Sequence, residues 1–399
     1  MGGIEMISEV LQEKAVVKEG LDYLRSCEEE YVELIAEITQ VPAPSNEEDQ
    51  RSEYLEKKMR SMGFPFVARD EVGNVLAFFP GKDHKKTVIS MAHMDTVFPF
   101  DTDLTVKRDG NILAAPGVSD NSASLACMLL LGKIFKQHLP LEHPVVLVST
   151  VGEEGLGDLK GARFFCDNIE NYDFGGFRIH PENVVFLNID GGMGYIVNGG
   201  VGSRRLRVDF KGQGGHSWGS FGNTNAIYGI GVAIANISRI QVPESPRTTY
   251  NVGVVQGGHS VNSIAQDAHM LLDMRSVDAK CLVELEEEIM KCLLEAASST
   301  GTEYTIAVVG DRPTGEIPVD CAYIQGLMEL GKECGYDLTV GYSSTDSNIP
   351  LSRGWPAVTM GFKRSENGHK TTEFLYIDSL VPGIQFALMC FAGLLYDQF

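Results

Sequence analysis

Thr87-Val88-Ile89-Ser90-Met91-Ala92-His93-Met94-Asp95 is the stretch from which the rest of the chain is read. It begins as a largely apolar run of strand length and ends on a histidine, with an aspartate two residues on. Two other runs are built alike: Pro144 to Val151 leads into Glu153, and Val184 to Ile189 leads into Asp190. Between the first two, Ser122 to about Gln137 carries a helix pattern. Strands that are apolar throughout and separated by helices are covered on both faces, which indicates an α/β sheet. The polar residues cluster just past the C-terminal strand ends, where open sheets of this kind place ligands.

Upstream, residues from about Ile7 to Thr39 have helical periodicity, ended by Pro42 and Pro44, and Glu47 to Met62 reads as a second helix. Downstream, the texture changes near Asn198. Arg205, Arg207 and Asp209 alternate with Leu206, Val208 and Phe210, a half-exposed strand. The order that follows is helix (Thr224 to Ile240), strand (Tyr250 to Val255), strand (Ala268 to Met274), helix (Val277 to Ala297) and strand (Tyr304 to Val309). This β-α-β-β-α-β order resembles a ferredoxin-like α+β unit inserted into the first domain. The expected division is 1–199 and 311–399 for the outer domain and 200–310 for the insert.

The 399 residues suffice for two domains with cores of their own. With 54 acidic against 33 basic residues, the net charge of -21 repels phosphate backbones, so nucleic acid is not an expected partner. The eight cysteines form no CxxC and read as thiols of a reducing compartment. Glu5 and Glu9 stand where a secretory signal would need a basic start. The most apolar stretch, around Leu125 to Phe135, is too short to span a bilayer. A cytoplasmic protein without a membrane partner is expected.

Five potential metal ligands sit at strand ends or adjoining loops: His93, Asp120, Glu154, Asp190 and His369. Imidazole with carboxylate suits zinc, and cobalt or manganese could substitute. Taken singly, each has an ordinary structural reading. His93 fits a satisfied core histidine, Asp120 a helix N-cap, and Asp190 and His369 loop residues. Together, three carboxylates nearly balance two divalent cations, and Asp120 has two oxygens with which to bridge them. Asp95 can accept the second N–H of His93. Glu153 and Glu154 are adjacent carboxylates, so one can bind metal while the other acts as general base.

With these residues in place, the chain resembles the zinc exopeptidases and deacylases that include peptidase T, glutamate carboxypeptidase, succinyl-diaminopimelate desuccinylase and aminoacylase. The likeness runs from Ile38-Thr39-Gln40-Val41-Pro42 to the His369 segment. It implies a mixed-sheet di-zinc catalytic domain carrying a dimerisation (lid) domain, and a homodimer formed through that lid. It implies one zinc on His93, Asp120 and Asp190, a second on Asp120, Glu154 and His369, and a cis peptide after Asp120. Asp95 would orient His93, and Glu153 would be the base. Gly214-Gly215-His216-Ser217 matches the lid histidine that stabilises the oxyanion, and Asn262 and Arg275 match substrate-binding positions. His259, in a similar Gly-Gly-His-Ser, reads as a hairpin residue. The implied activity is cleavage of an amide bond in a small peptide. Alternatives are removal of an acyl group from an N-acyl amino acid (acetylornithine deacetylase or desuccinylase type) and an inactive binding or scaffold relative. Pro116-Gly117-Val118-Ser119 departs from the usual approach to the bridging aspartate, which leaves the specificity branch open.

Overall fold

The apolar runs form three neighbouring parallel strands, Thr87–His93, Val145–Thr150 and Val184–Ile189, buried along their whole length in the computed structural model, which describes residues 6–399. They lie in a mixed sheet with the order Val67–Arg69, Val75–Phe79, Val145–Thr150, Thr87–His93, Val184–Ile189, Ala357–Met360, Tyr195–Gly200. Val75–Phe79 runs antiparallel to Val145–Thr150, and Ala357–Met360 runs parallel to Val184–Ile189.

The helix Ser124–Gln137 is buried around most of its circumference, as expected of a helix between packed layers. Truncating Leu130 there would remove about 2–5 kcal/mol. The segment Ile377–Leu395 is longer than the Leu125 to Phe135 stretch and apolar enough by composition to cross a bilayer, yet 78% of it is buried inside the fold. It is a core element, and its α-helix, Leu380–Leu395, follows Ser379, whose hydroxyl donates to the Tyr376 carbonyl.

The N-terminal helical stretch divides into Ile7–Gln12, Ala15–Leu24 and Glu28–Thr39. Glu28, Glu29 and Glu30 fill the first turn of the third, where acidic residues favour a helix start.

Contacts divide the chain into two compact units: the chain up to Gly200 with Glu316–Phe399, and Val201–Gly315. The second unit has the strand order Thr248–Gly257, Asp267–Ser276, Gly202–Lys211, Glu303–Arg312, all antiparallel. The last of these strands runs past residue 310, where the sequence placed the boundary. The helices Ala226–Ile237 and Ala279–Thr300 supply Ile230, Ala233, Leu285 and Ile289 to a core with Leu206, Val208, Phe210, Met270 and Leu272. This is the ferredoxin-like arrangement.

A small sheet in the first unit was not read from the sequence. It pairs Lys107–Asp109 with Ile112–Ala114, Ile112–Ala114 with Phe374–Tyr376, and Phe374–Tyr376 with Ser365–Glu366. It delivers the His369 loop to the segment that carries Asp120.

Candidate metal centre

His93 is the last residue of its strand, and Glu154 and Asp190 follow the ends of the two neighbouring strands. Parallel strands ending at one level bring these side chains together. Asp120 lies where Val118–Ala123 leads into the Ser124–Gln137 helix, and Gly117 before it has φ 74°. A Cβ at Gly117 would come within 2.9 Å of the Thr96 methyl group, so both the turn and the approach require glycine. The Asp120–Asn121 peptide is cis. His369 has φ 64°, a left-handed conformation that is uncommon for histidine and costs about 1–2 kcal/mol.

Asp120 divides its carboxylate between two histidines: Oδ1 lies 3.0 Å from His93 Nε2, and Oδ2 lies 3.0 Å from His369 Nε2. Glu154 Oε1 is 2.8 Å from His369 Nε2, and Asp190 Oδ1 is 3.9 Å from His93 Nε2. Donor atoms fall within 4.8 Å of one another in His93–Asp120–Asp190, in Asp120–Glu154–His369, and in His93–Glu153–Glu154. The first two sets share only Asp120.

The electrostatics fit a pair of cations. Burial opposes charge on His93, but its hydrogen bonds with Asp120 and Asp95 raise its pKa well above the usual value. His369 is pushed up to about 11 by Asp120 and then Glu154. Burial would raise Asp120, yet its bonds to His369 and His93 hold it below the usual carboxylate range. Asp190 is raised, by burial and by the charges of Asp120 and Glu154. These shifts arise because three carboxylates crowd two imidazoles, an excess of negative charge of the kind that divalent cations balance.

The surrounding bonds fix these groups. His93 Nδ1 lies 3.0 Å from the Asp95 backbone carbonyl and 3.5 Å from the Asp95 carboxylate. Both the carbonyl and the carboxylate of Asp95 thus face His93 Nδ1, the carbonyl more closely. With Nδ1–H donated there, the Nε2 lone pair is the one available to a cation. The Asp95 carboxylate also accepts the Glu153 and Glu154 N–H groups, each at 2.9 Å, and the Ser45 hydroxyl at 2.6 Å. Glu153 is buried, and its backbone is held by that bond.

Three further side chains belong to this region and were given no role from the sequence. Glu373 is fully buried and accepts N–H bonds from Gly117, Ser119 and Asp120. Lys363, also buried, donates to the Gly191 carbonyl at 2.8 Å and the Ser124 hydroxyl at 3.1 Å, and burial lowers its pKa. Asp346 accepts from the Thr150 hydroxyl, and its Oδ1 has no hydrogen-bond partner among the described residues. Glu373 is a carboxylate four residues beyond His369, and Asp346 falls in Ser343-Ser344-Thr345-Asp346-Ser347-Asn348, a stretch that resembles the family's loop near the substrate.

The other expected residues lie in the second unit. His216 pairs with Ser263 in an antiparallel ladder of two two-residue strands, and Ser217 N–H donates to the Asn262 carbonyl, so His216 and Asn262 are neighbours. His216 Nδ1 accepts from the backbone N–H groups of Trp218 and Gly219, at 3.2 and 3.3 Å. A neutral His216 therefore carries its proton on Nε2. Arg275 Nε donates to Asp273 at 2.8 Å, and Arg205 takes the other oxygen of Asp273. His259 is exposed between two strands.

Residues 89–391 match the Peptidase family M20/M25/M40. The chain is 24% identical to the succinyl-diaminopimelate desuccinylase of Corynebacterium glutamicum over 90% of its own length and 94% of the relative's. It is 27% identical to the cytosol non-specific dipeptidase of Escherichia coli over 65% of its length and 57% of that protein's. Among solved structures, a tripeptidase from Staphylococcus aureus superposes with a TM-score of 0.76 at 24% identity, covering 92% of this chain and 99% of that one, a likeness of fold. The chain belongs to the Peptidase family M20/M25/M40 and is a hydrolase of C–N bonds whose strand ends form a candidate site for a metal pair.

Proposed function

We propose that this chain is a di-zinc exopeptidase that cleaves an amide bond in a small peptide. The observation that carries the reading is Asp120, whose two oxygens each face a different histidine at 3.0 Å. In this reading His93, Asp120 and Asp190 hold one zinc and Asp120, Glu154 and His369 the other, with cobalt or manganese as substitutes. When bound, the pair supplies Lewis acidity and a water of lowered pKa.

The chain's own groups do the rest. Glu153 takes a proton from the attacking water and passes it to the departing nitrogen, so one water is consumed per amide broken. Asp95 holds the Glu153–Glu154 backbone in register with His93. His216 offers Nε2–H to the carbonyl oxygen as negative charge develops there. Arg275 pairs with a substrate carboxylate, and Asn262 contacts substrate from beside His216.

His216 acts from one subunit of a homodimer on the site of the other, formed through the insert. Trp218 and Phe221, 89% and 91% exposed beside His216, support such an interface. The eight cysteines, none in a disulfide, support a reducing cytoplasmic setting.

The test is a metal-loaded assay across dipeptides, tripeptides and N-acetyl and N-succinyl amino acids, with metal content read by mass spectrometry. Peptides with a free amino terminus are expected to give the highest kcat/KM, at two zinc ions per chain. The Corynebacterium glutamicum desuccinylase relative supports a second reading, deacylation of N-acyl amino acids. Faster turnover of the N-acyl compounds would replace the first reading with the second. No turnover of any compound at full metal occupancy would favour a binding or scaffold role.

A further inference from the structure

Two loops that hold candidate ligands are joined by a residue that is itself no ligand. Glu373 Oε1 accepts the N–H groups of Ser119 at 2.7 Å and Asp120 at 2.8 Å, and Oε2 accepts that of Gly117 at 3.1 Å. Its own carbonyl accepts the Ala115 N–H at 3.2 Å, and its N–H donates to the Lys370 carbonyl at 3.0 Å. Phe374, the next residue, is in register with Ala114.

A fully buried carboxylate is costly unless its oxygens are filled. Here all the hydrogen bonds come from backbone, and none comes from a basic side chain. The nearby negative charge of Asp120 opposes ionisation of Glu373. Lys363, also buried, attracts Glu373 but makes no hydrogen bond to it, so the direction in which the carboxylate is held is set by the three backbone N–H groups. The segment from His369 to Glu373 presents a candidate ligand at one end and clamps the backbone beneath Asp120 at the other.

We propose that Glu373 is a positioning residue for the metal pair, fixing Asp120 at the distance from His369 that lets one carboxylate serve both ions. This rests on the metal-centre reading, which the zinc stoichiometry of the unmodified protein tests separately. Because Asp120 is the residue common to both ligand sets, loosening it weakens both metal sites together. Loss of His369 alone would act on one set.

The experiment titrates metal-free protein with zinc against a chromophoric chelator, and with cobalt while recording the visible d–d spectrum. Glu373→Ala is expected to bind both ions at least tenfold more weakly and to alter the cobalt spectrum, the size usual for lost outer-shell support. Glu373→Gln keeps an oxygen for Ser119 and Asp120 but sets an NH2 group against the Gly117 N–H. It is expected to bind at least threefold more weakly and to lie between Ala and the unmodified protein. Asp70 is a control from elsewhere in the first unit, because it accepts backbone N–H bonds from Val72, Gly73 and Asn74, together with the Asn74 amide and the Tyr172 hydroxyl, and bonds to no candidate ligand. Asp70→Ala should lower thermal stability and leave zinc affinity within twofold. If Glu373→Ala does not fold, Glu373→Gln decides the matter. Zinc affinities within twofold of the unmodified protein in the folded variant, with an unchanged cobalt spectrum, overturn the proposal. Failure of the unmodified protein to bind two ions instead overturns the metal-centre reading.

Discussion

The strand ends of the first unit and the His216 ladder of the second both carry expected site residues, but they are built in opposite ways. At the strand ends His93, Asp95, Glu153 and Glu154 are buried, and backbone groups from distant segments hold their surroundings. On this two-stranded ladder His216 and Asn262 are exposed and are held by bonds within a few residues or across two short strands. Under the proposed function, the contrast means that the reacting groups are positioned in advance by the fold of the first unit. The groups on the ladder would gain their partners from substrate or from a second subunit. Preorganisation of the first kind is what electrostatic catalysis needs, because no reorganisation is then left for the moment of reaction.

The contrast breaks or sharpens at four points. The largest effect is expected at Glu153: Glu153→Gln should lower kcat by about 10³–10⁴-fold, near the upper range for a general base. Metal content should stay at two ions per chain, and turnover within tenfold of the unmodified enzyme would remove Glu153 from that role. His216→Ala should lower kcat by about 10²–10³-fold, as for loss of one oxyanion donor. Its zinc affinity should not change, whereas a parallel fall in zinc affinity would erase the distinction between the His216 ladder and the strand ends.

The third point concerns proton equilibria. Burial lifts the Asp346 carboxyl from its ordinary 3.8 to about 6, against the Thr150 bond, while Arg207 lowers the more open Asp209 of the insert. The folded state of metal-free protein then keeps the Asp346 proton at pH values where the unfolded chain has lost it. Its contribution to stability therefore falls as pH rises from about 4 to about 6 and is constant above that. Asp346→Asn should remove that decline, worth on the order of 2–3 kcal/mol at neutral pH. Urea midpoints across this range should converge at low pH, and parallel curves for the two proteins would refute the assignment.

The smallest effect is expected at Arg275, where Arg275→Met should raise KM for a carboxylate-bearing peptide by about tenfold, with kcat little changed. An unchanged KM would leave Arg275 only its bond to Asp273.

Much of this molecule was legible before folding. Apolar strands ending on His93, Glu153 and Asp190 identified an α/β sheet with polar groups at one edge, because burial on both faces leaves few polar positions within a strand. The alternation from Arg205 to Phe210 marked a sheet with one open face. The division of the N-terminal helical stretch was less visible. Its apolar stripe continues across the breaks, and only the acidic run Glu28 to Glu30 signals a new start. The strands Ile112–Ala114 and Phe374–Tyr376 could not be found by pattern, since each has three residues and their pairing spans most of the chain.

By itself the sequence determined which residue types stand at the ends of apolar runs, and hence the fold class and the stock of candidate ligands. Those follow from local periodicity, which a linear chain carries in full. Only the tertiary structure decided that Asp120 faces both histidines, that Asp95 grips the Glu153–Glu154 backbone, and that Glu373 clasps the Asp120 turn. A carboxylate that accepts backbone N–H groups leaves no trace in the residues it holds, because every residue except proline offers the same donor.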